Sequence, residues 1–316
     1  MSNRSTVFVF AAALIVSSFL FSAHNHELCE GFVPENDMKI PVTGAFAINS
    51  GVDEAEFNDV LDEIENYYVD VVAELGGSLQ VNRLWTNDTV NASAQRQGST
   101  YVINMYGGLA RHPAITRDGF MLVACHEMGH HLGGAPKYSG WFNTWASNEG
   151  QSDYYSSLRC LRWMLEGKDN AQWIEENGVD AYAMEQCQLV YNTQEEENLC
   201  ARIAMAGKSV SFLFKDLREL PEEPKFDTPD PSEVGSTNDR HPDPQCRMDT
   251  YFKGALCLHD MDEELSDRDP DVGSCNRADG ATIGLRPRCW FKPGAGGGDD
   301  DRPEWPFVTA LDGTVF

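Results

Sequence analysis

The stretch Cys125-His126-Glu127-Met128-Gly129-His130-His131-Leu132-Gly133-Gly134 decides how this chain is read. It contains the pattern H-E-x-x-H. On a helix, residues four apart stand one turn above each other on the same face. His126 and His130 can therefore aim ring nitrogens at one ion, with Glu127 beside them. The surroundings read as a helix: Thr116 is a candidate N-cap, the run to Leu132 is largely apolar, and Gly133-Gly134 closes it. Imidazole and carboxylate donors suit zinc, whose catalytic sites use three protein ligands and keep one position open. Zinc lowers the pKa of water toward ~7. Glu127 is placed to take that proton and to hand it to a leaving amine. His131 lies five residues after His126, about 140° around the helix, and is set aside as a ligand. Met128 and Leu132 read as core contacts and Gly129 as a point of close packing.

The third ligand must come from elsewhere. In H-E-x-x-H-x-x-G-x-x-H, Gly133 fits the glycine, but the last position is Pro136, which has no donor atom. The next candidate is Asn148-Glu149-Gly150-Gln151-Ser152-Asp153, at the start of a helix expected from 148 to about 165 with Ser147 as its cap. Glu149 and Asp153 share one face. Glu149 completes a His₂Glu set. Asp153 can accept the other N–H of a ligating histidine and fix its tautomer.

His126-Glu127-x-x-His130 followed by Asn148-Glu149-x-x-Ser152-Asp153 resembles the gluzincin (thermolysin-like) zinc metallopeptidases. The Glu149-x-x-x-Asp153 element is similar to that of the CAAX prenyl protease branch and its soluble periplasmic relatives. Members of that branch often carry a His-Pro motif followed by Arg, and this chain has Arg240-His241-Pro242-Asp243-Pro244-Gln245-Cys246-Arg247. The resemblance implies that His241 or Arg247 approaches the metal and steadies the substrate or its tetrahedral oxyanion. It covers residues 115–165 and, by a shorter motif, 236–250. The multiple membrane spans of the branch have no counterpart here.

The composition bounds the rest. The chain has 316 residues, Lys+Arg 24, Asp+Glu 50 and a net charge of −26. Nucleic-acid binding needs a basic face, so that class is excluded, as is docking on anionic lipid. Residues 1–23 combine Arg4, an apolar run over 7–21 and small residues, which reads as a cleaved secretory signal. The expected location is secreted or periplasmic, without stable membrane insertion. Nine cysteines agree with an oxidising compartment. Cys125, inside the apolar helix, reads as a buried free thiol. The other eight allow four disulfides, with Cys187–Cys200, Cys246–Cys257 and Cys275–Cys289 as the short-loop guesses.

Further elements follow from periodicity: a helix over 53–75 capped by Asp53, strands at 78–86 and 99–106, and weaker helices at 173–190 and 195–217. A peptide substrate could lie along an exposed edge near the second strand. Eleven of the fifteen prolines lie after Glu219, so 219–316 reads as an irregular, disulfide-held extension that contributes the His-Pro loop. Asp267, Asp269 and Asp271 are spaced carboxylates of a kind that bind calcium, but the EF-hand glycine and final Glu are missing, so a solvated acidic loop is the expectation. His24, His26 and His112 carry no expected chemistry.

The expectation is thus an α+β, zincin-like core at 24–218. It hydrolyses peptide bonds with one zinc ion held by His126, His130 and Glu149, and with Glu127 as base. The partner is a protein or peptide substrate. A second reading is a zinc-containing, chaperone-like module that captures exported proteins and rarely cuts them.

Overall fold

The computed structural model describes Cys29 and residues 31–43, 51–139 and 144–294. The expected signal at 1–23, His24 and His26 lie outside the described residues. The architecture is mixed α+β: a three-stranded sheet, a set of packed helices and a C-terminal region tied by disulfides.

Helix α1 (Glu54–Glu74) begins where the sequence placed it. Asp53 accepts from the Glu56 amide, and the Glu56 carboxylate reaches back to the Asp53 amide, which satisfies two end donors at once. Its buried stripe of Phe57, Val60, Leu61, Ile64, Tyr68 and Val72 faces the core. Strands β1 (Ser78–Leu84) and β3 (Thr100–Tyr106) match the two expected strands and pair in parallel. The sequence reading missed β2 (Ala92–Gln97), whose ASAQRQ lacks β-branched and aromatic residues. It pairs antiparallel with β3 through a two-residue turn that puts Gly98 at φ 58°, a sign of φ that hairpin turns favour. The sheet order is β1-β3-β2, so β2 is an edge.

A single turn, α2 (Gly107–Ala110), leads to α3 (Arg117–Leu132), capped by Thr116 as expected. The following helix differs from expectation. Its cap is Asn148, which accepts from the Gln151 amide, and α4 (Glu149–Tyr155) passes into a π-helical turn (Ser156–Cys160) before α5 (Leu161–Leu165). Ser147 instead donates its hydroxyl to the Gly134 carbonyl. The stretch expected as one helix at 173–190 is two, α6 (Asn170–Asn177) and α7 (Ala181–Val190), separated by Gly178 at φ 75°. Helix α8 (Gln194–Leu217) has a Thr193–Glu196 capping box. It is fixed to α3 by a buried pair in which Arg202 donates to both Asp118 oxygens, at 2.7 and 3.0 Å. The extension is less irregular than expected. It contains α9 (Pro244–Leu256), with Pro at the start of the helix, where no amide donor is needed.

Gly129 lets α3 and α4 approach. A Cβ there would sit 3.0 Å from the Ser152 backbone, closer than ordinary contact. This close approach carries the α4 carboxylates up to the α3 histidines.

Four disulfides close the core and the extension: Cys125–Cys160, Cys187–Cys200, Cys246–Cys289 and Cys257–Cys275. Cys187–Cys200 is as expected. Cys125 is not a free thiol. The π turn after α4 packs on α3 and brings Cys160 opposite it, while buried Cys29 lies outside the four pairs. The other two guesses fail because α9 separates Cys246 from Cys257, which sit at opposite ends of that helix. Their bonds run to Cys289 and Cys275, around a second apolar cluster centred on Trp290. Such bonds fit an oxidising, extracellular type of environment. Among the described residues no helix is long and apolar enough to cross a membrane.

Replacing both Cys125 and Cys160 with Ala frees a 35-residue loop in the unfolded chain. Loop-closure entropy puts the expected loss at about 3–4 kcal/mol. Denaturant unfolding of the double variant checks this; an unchanged midpoint would argue against the bond.

Candidate metal centre

Three donor-bearing side chains predicted from the sequence meet in one fully buried place. The ligand atoms of His126, His130 and Glu149 lie within 4.8 Å of one another. Helix α3 supplies the two histidines one turn apart, with ring centroids at 4.7 Å. Helix α4 supplies Glu149 from its first position, immediately after the Asn148 cap.

The histidine tautomers follow from their outer partners. His126 Nδ1 stands 2.7 Å from Asp153 Oδ1, and a carboxylate held beside Arg247 only accepts, so Nδ1 carries the proton. His130 Nδ1 stands 2.9 Å from the Ser147 carbonyl, which again only accepts. Ser152 Oγ lies 3.0 Å from the same nitrogen. Each histidine, when its ring is neutral, therefore presents the lone pair of Nε2 inward. His126 Nε2 is 3.3 Å from Glu149 Oε2, and His130 Nε2 is 3.7 Å from Glu149 Oε1. These three groups face one another away from solvent. Both Nε2 atoms and Glu149 Oε2 lack a hydrogen-bond partner, as do both oxygens of Glu127.

Such a cluster is stable only with a positive charge inside it. Donors ~2.1 Å from one ion in a tetrahedron stand about 3.4 Å apart, close to the separations found. The group therefore fits a small divalent cation. The second cluster of possible donors, Asp230 with Cys246 and Cys289, has its sulfurs committed to a disulfide.

The titration behaviour separates the roles of the two glutamates. Burial pushes the Glu127 carboxyl up to about 8. Burial also opposes ionisation of Glu149, but His241, His130 and His126 outweigh it and hold that carboxyl far below its usual range. One carboxylate is thus kept charged as a donor, while its neighbour readily holds a proton. For His126, burial disfavours the cation, yet Asp153 and Glu149 outweigh it and raise the ring to about 9. For His130, burial dominates and lowers the ring to about 4.

Asp153 is the hub behind the site. Its Oδ1 accepts from His126 Nδ1, from Arg247 Nη2 and from Tyr251 Oη, each at 2.7 Å, and its Oδ2 accepts from Arg247 Nε at 2.7 Å. Arg247, on α9, is fully engaged there and at the Phe32 carbonyl, so it reaches the metal group through Asp153. His241 is nearer: its Nε2 lies 3.3 Å from Glu149 Oε2 and donates to the Gly31 carbonyl at 2.7 Å. Comparison of the chain with family models, curated proteins and solved structures finds no match.

The remaining candidates stand elsewhere. His131 points away from the group, toward the Val102 carbonyl at 3.2 Å, and stacks on Trp145. His112 faces Asp216. Asp267 pairs with Lys137 and Asp271 with Arg286, and among the described residues these acids form no candidate metal group. Sequence reasoning missed Tyr138, whose hydroxyl donates to Glu149 Oε1 at 2.6 Å, and Tyr251 behind Asp153. A tyrosine in a loop carries no spacing signal. Tyr251 was within reach as the residue one turn after Arg247, once a helix through the His-Pro segment is assumed.

Proposed function

We propose that this chain is an exported zinc metallopeptidase of the gluzincin type, with His126, His130 and Glu149 holding the ion. The observation that carries this reading is the buried meeting of His126 Nε2, His130 Nε2 and Glu149 Oε2, none of which has a hydrogen-bond partner, beside Glu127, whose two oxygens also have none. Zinc is chosen over harder cations because two of the three donors are imidazoles. When bound, it would supply a Lewis acid that acidifies water and polarises a carbonyl.

The chain's own residues then have distinct tasks. Glu127, with a carboxyl that takes up a proton readily, accepts one from water and delivers it to the departing amine nitrogen. Asp153 keeps the proton of His126 on Nδ1, so that Nε2 stays a donor to the ion. His241 presents an N–H toward the carbonyl of an adjacent chain segment, which suits it to steady a carbonyl oxygen as charge develops there. A purely structural ion would not require Glu127, and a buried carboxyl group with no hydrogen-bond partner is costly even when neutral.

The test is metal content together with digestion of an unfolded protein such as reduced, alkylated casein. Wild type should carry one zinc per chain and cleave; Glu127→Gln should carry the zinc and fail to cleave. Absence of zinc, or equal cleavage by both forms, would remove the proposal. Zinc with capture but no cleavage by wild type would favour the chaperone-like reading.

A further inference from the structure

The metal group is sealed: His126, Glu127, His130 and Glu149 are all 0% exposed. Part of the seal is the chain's own N-terminal segment. The Phe32 ring stands edge-on to His126 with centroids 4.9 Å apart. The Gly31 carbonyl takes the His241 Nε2–H at 2.7 Å, and the Phe32 carbonyl takes Arg247 Nη1 at 2.7 Å. The same residues run along the outer edge of β2. Cys29 N donates to the Ala94 carbonyl at 3.1 Å and Phe32 N to the Ala92 carbonyl at 2.9 Å. Further on, an antiparallel bridge joins Lys39 to Thr89, and Ile40 N donates to the Asp88 carbonyl. Asn91 clamps the segment from both sides, accepting from Val33 N and donating to Val33 O, each at 3.0 Å.

This is the arrangement by which a sheet edge receives an extended peptide: backbone bonds hold the strand and pockets read its side chains. Here one pocket is defined. Phe32 lies 5.7 Å from the Phe214 ring, 4.6 Å from the Arg247 guanidinium and against His126. The position before it tolerates little, since a Cβ on Gly31 would meet the Asn91 side chain at 2.6 Å.

We infer that residues 31–33 are a built-in cover of the metal site, seated on the outer edge of β2 as on a peptide rail, and that the site opens when this strap leaves. The partner is an extended polypeptide segment with an aromatic side chain in the Phe32 pocket, preceded by a small residue. The site admits such a segment when the strap leaves. This rests on the peptidase reading for its catalytic consequence, though not for the binding itself.

The test uses the full zinc-loaded chain, as wild type and as Asn91→Ala, which removes both clamps on Val33. The readouts are hydrogen exchange at the Phe32 and Val33 amides, zinc capture by a chelator such as dipicolinate, casein turnover, and binding of a labelled peptide with the sequence of residues 29–36. Loosening of the strap in Asn91→Ala should raise zinc capture and casein turnover about tenfold or more, as two half-buried hydrogen bonds are lost. The added peptide should reverse both effects. Peptide binding without casein cleavage by any form would support the rail while removing the peptidase. A loosened strap with unchanged zinc capture and no peptide binding would overturn the inference. Wild type alone is also decisive: zinc capture faster than exchange at Phe32 and Val33 would show that the strap is not the cover.

Discussion

Glu127→Gln is expected to lower peptide hydrolysis by about 10²–10⁴-fold, the range over which a positioned acid–base group acts. The amide keeps the shape of the carboxyl but cannot accept a proton. Metal content should not change, because the donors are His126, His130 and Glu149. Folding should not suffer either. Burial already drives the Glu127 carboxyl toward its neutral form, up to about 8, so a neutral amide removes a penalty rather than adding one. Activity loss with intact zinc and an unchanged unfolding midpoint is therefore the signature of a proton carrier. Loss of zinc in this variant would instead make Glu127 a ligand.

The second large effect is expected at Asp153. Asp153→Ala strips the acceptor from three buried donors at once: His126 Nδ1, Tyr251 Oη and the Arg247 guanidinium. Arg247 is then a buried cation that keeps the Phe32 carbonyl and two ring faces but has lost the carboxylate that takes two of its N–H groups. Breaking a buried pair from one side costs about 3–5 kcal/mol. Zinc affinity should fall about 10–100-fold, as for other lost partners of ligating histidines. Adding Arg247→Met to Asp153→Ala removes the stranded charge, so it should recover much of the unfolding free energy but little of the zinc affinity. Urea unfolding and zinc titration of the two variants check this. A cost below about 1 kcal/mol for Asp153→Ala would contradict the hub role.

The site was more legible in the sequence than the scaffold around it. The His126–His130 spacing and the Glu149–Asp153 spacing are both one helical turn, and a turn is a local property that a sequence displays directly. Two helix starts were legible because a side chain caps its own backbone, at Asp53 and Thr116, whereas the caps at Asn148, Asp169 and Asp180 were not read. What failed was non-local. Cys125 meets Cys160 only because the α4 segment folds back on α3 at Gly129, and nothing near Cys125 in sequence signals this. Strand β2 is polar because it is held between β3 and the strap, with backbone bonds doing what side chains do elsewhere. The strap itself has no periodicity, so Phe32 and Gly31 were invisible until their contacts with His126 and His241 were in view.

The metal centre is tested most directly by anomalous scattering at the zinc edge from crystals of the chain as purified. One peak is expected, about 2.0–2.2 Å from His126 Nε2, His130 Nε2 and a Glu149 carboxylate oxygen. No peak there, with these three side chains turned apart, would contradict it.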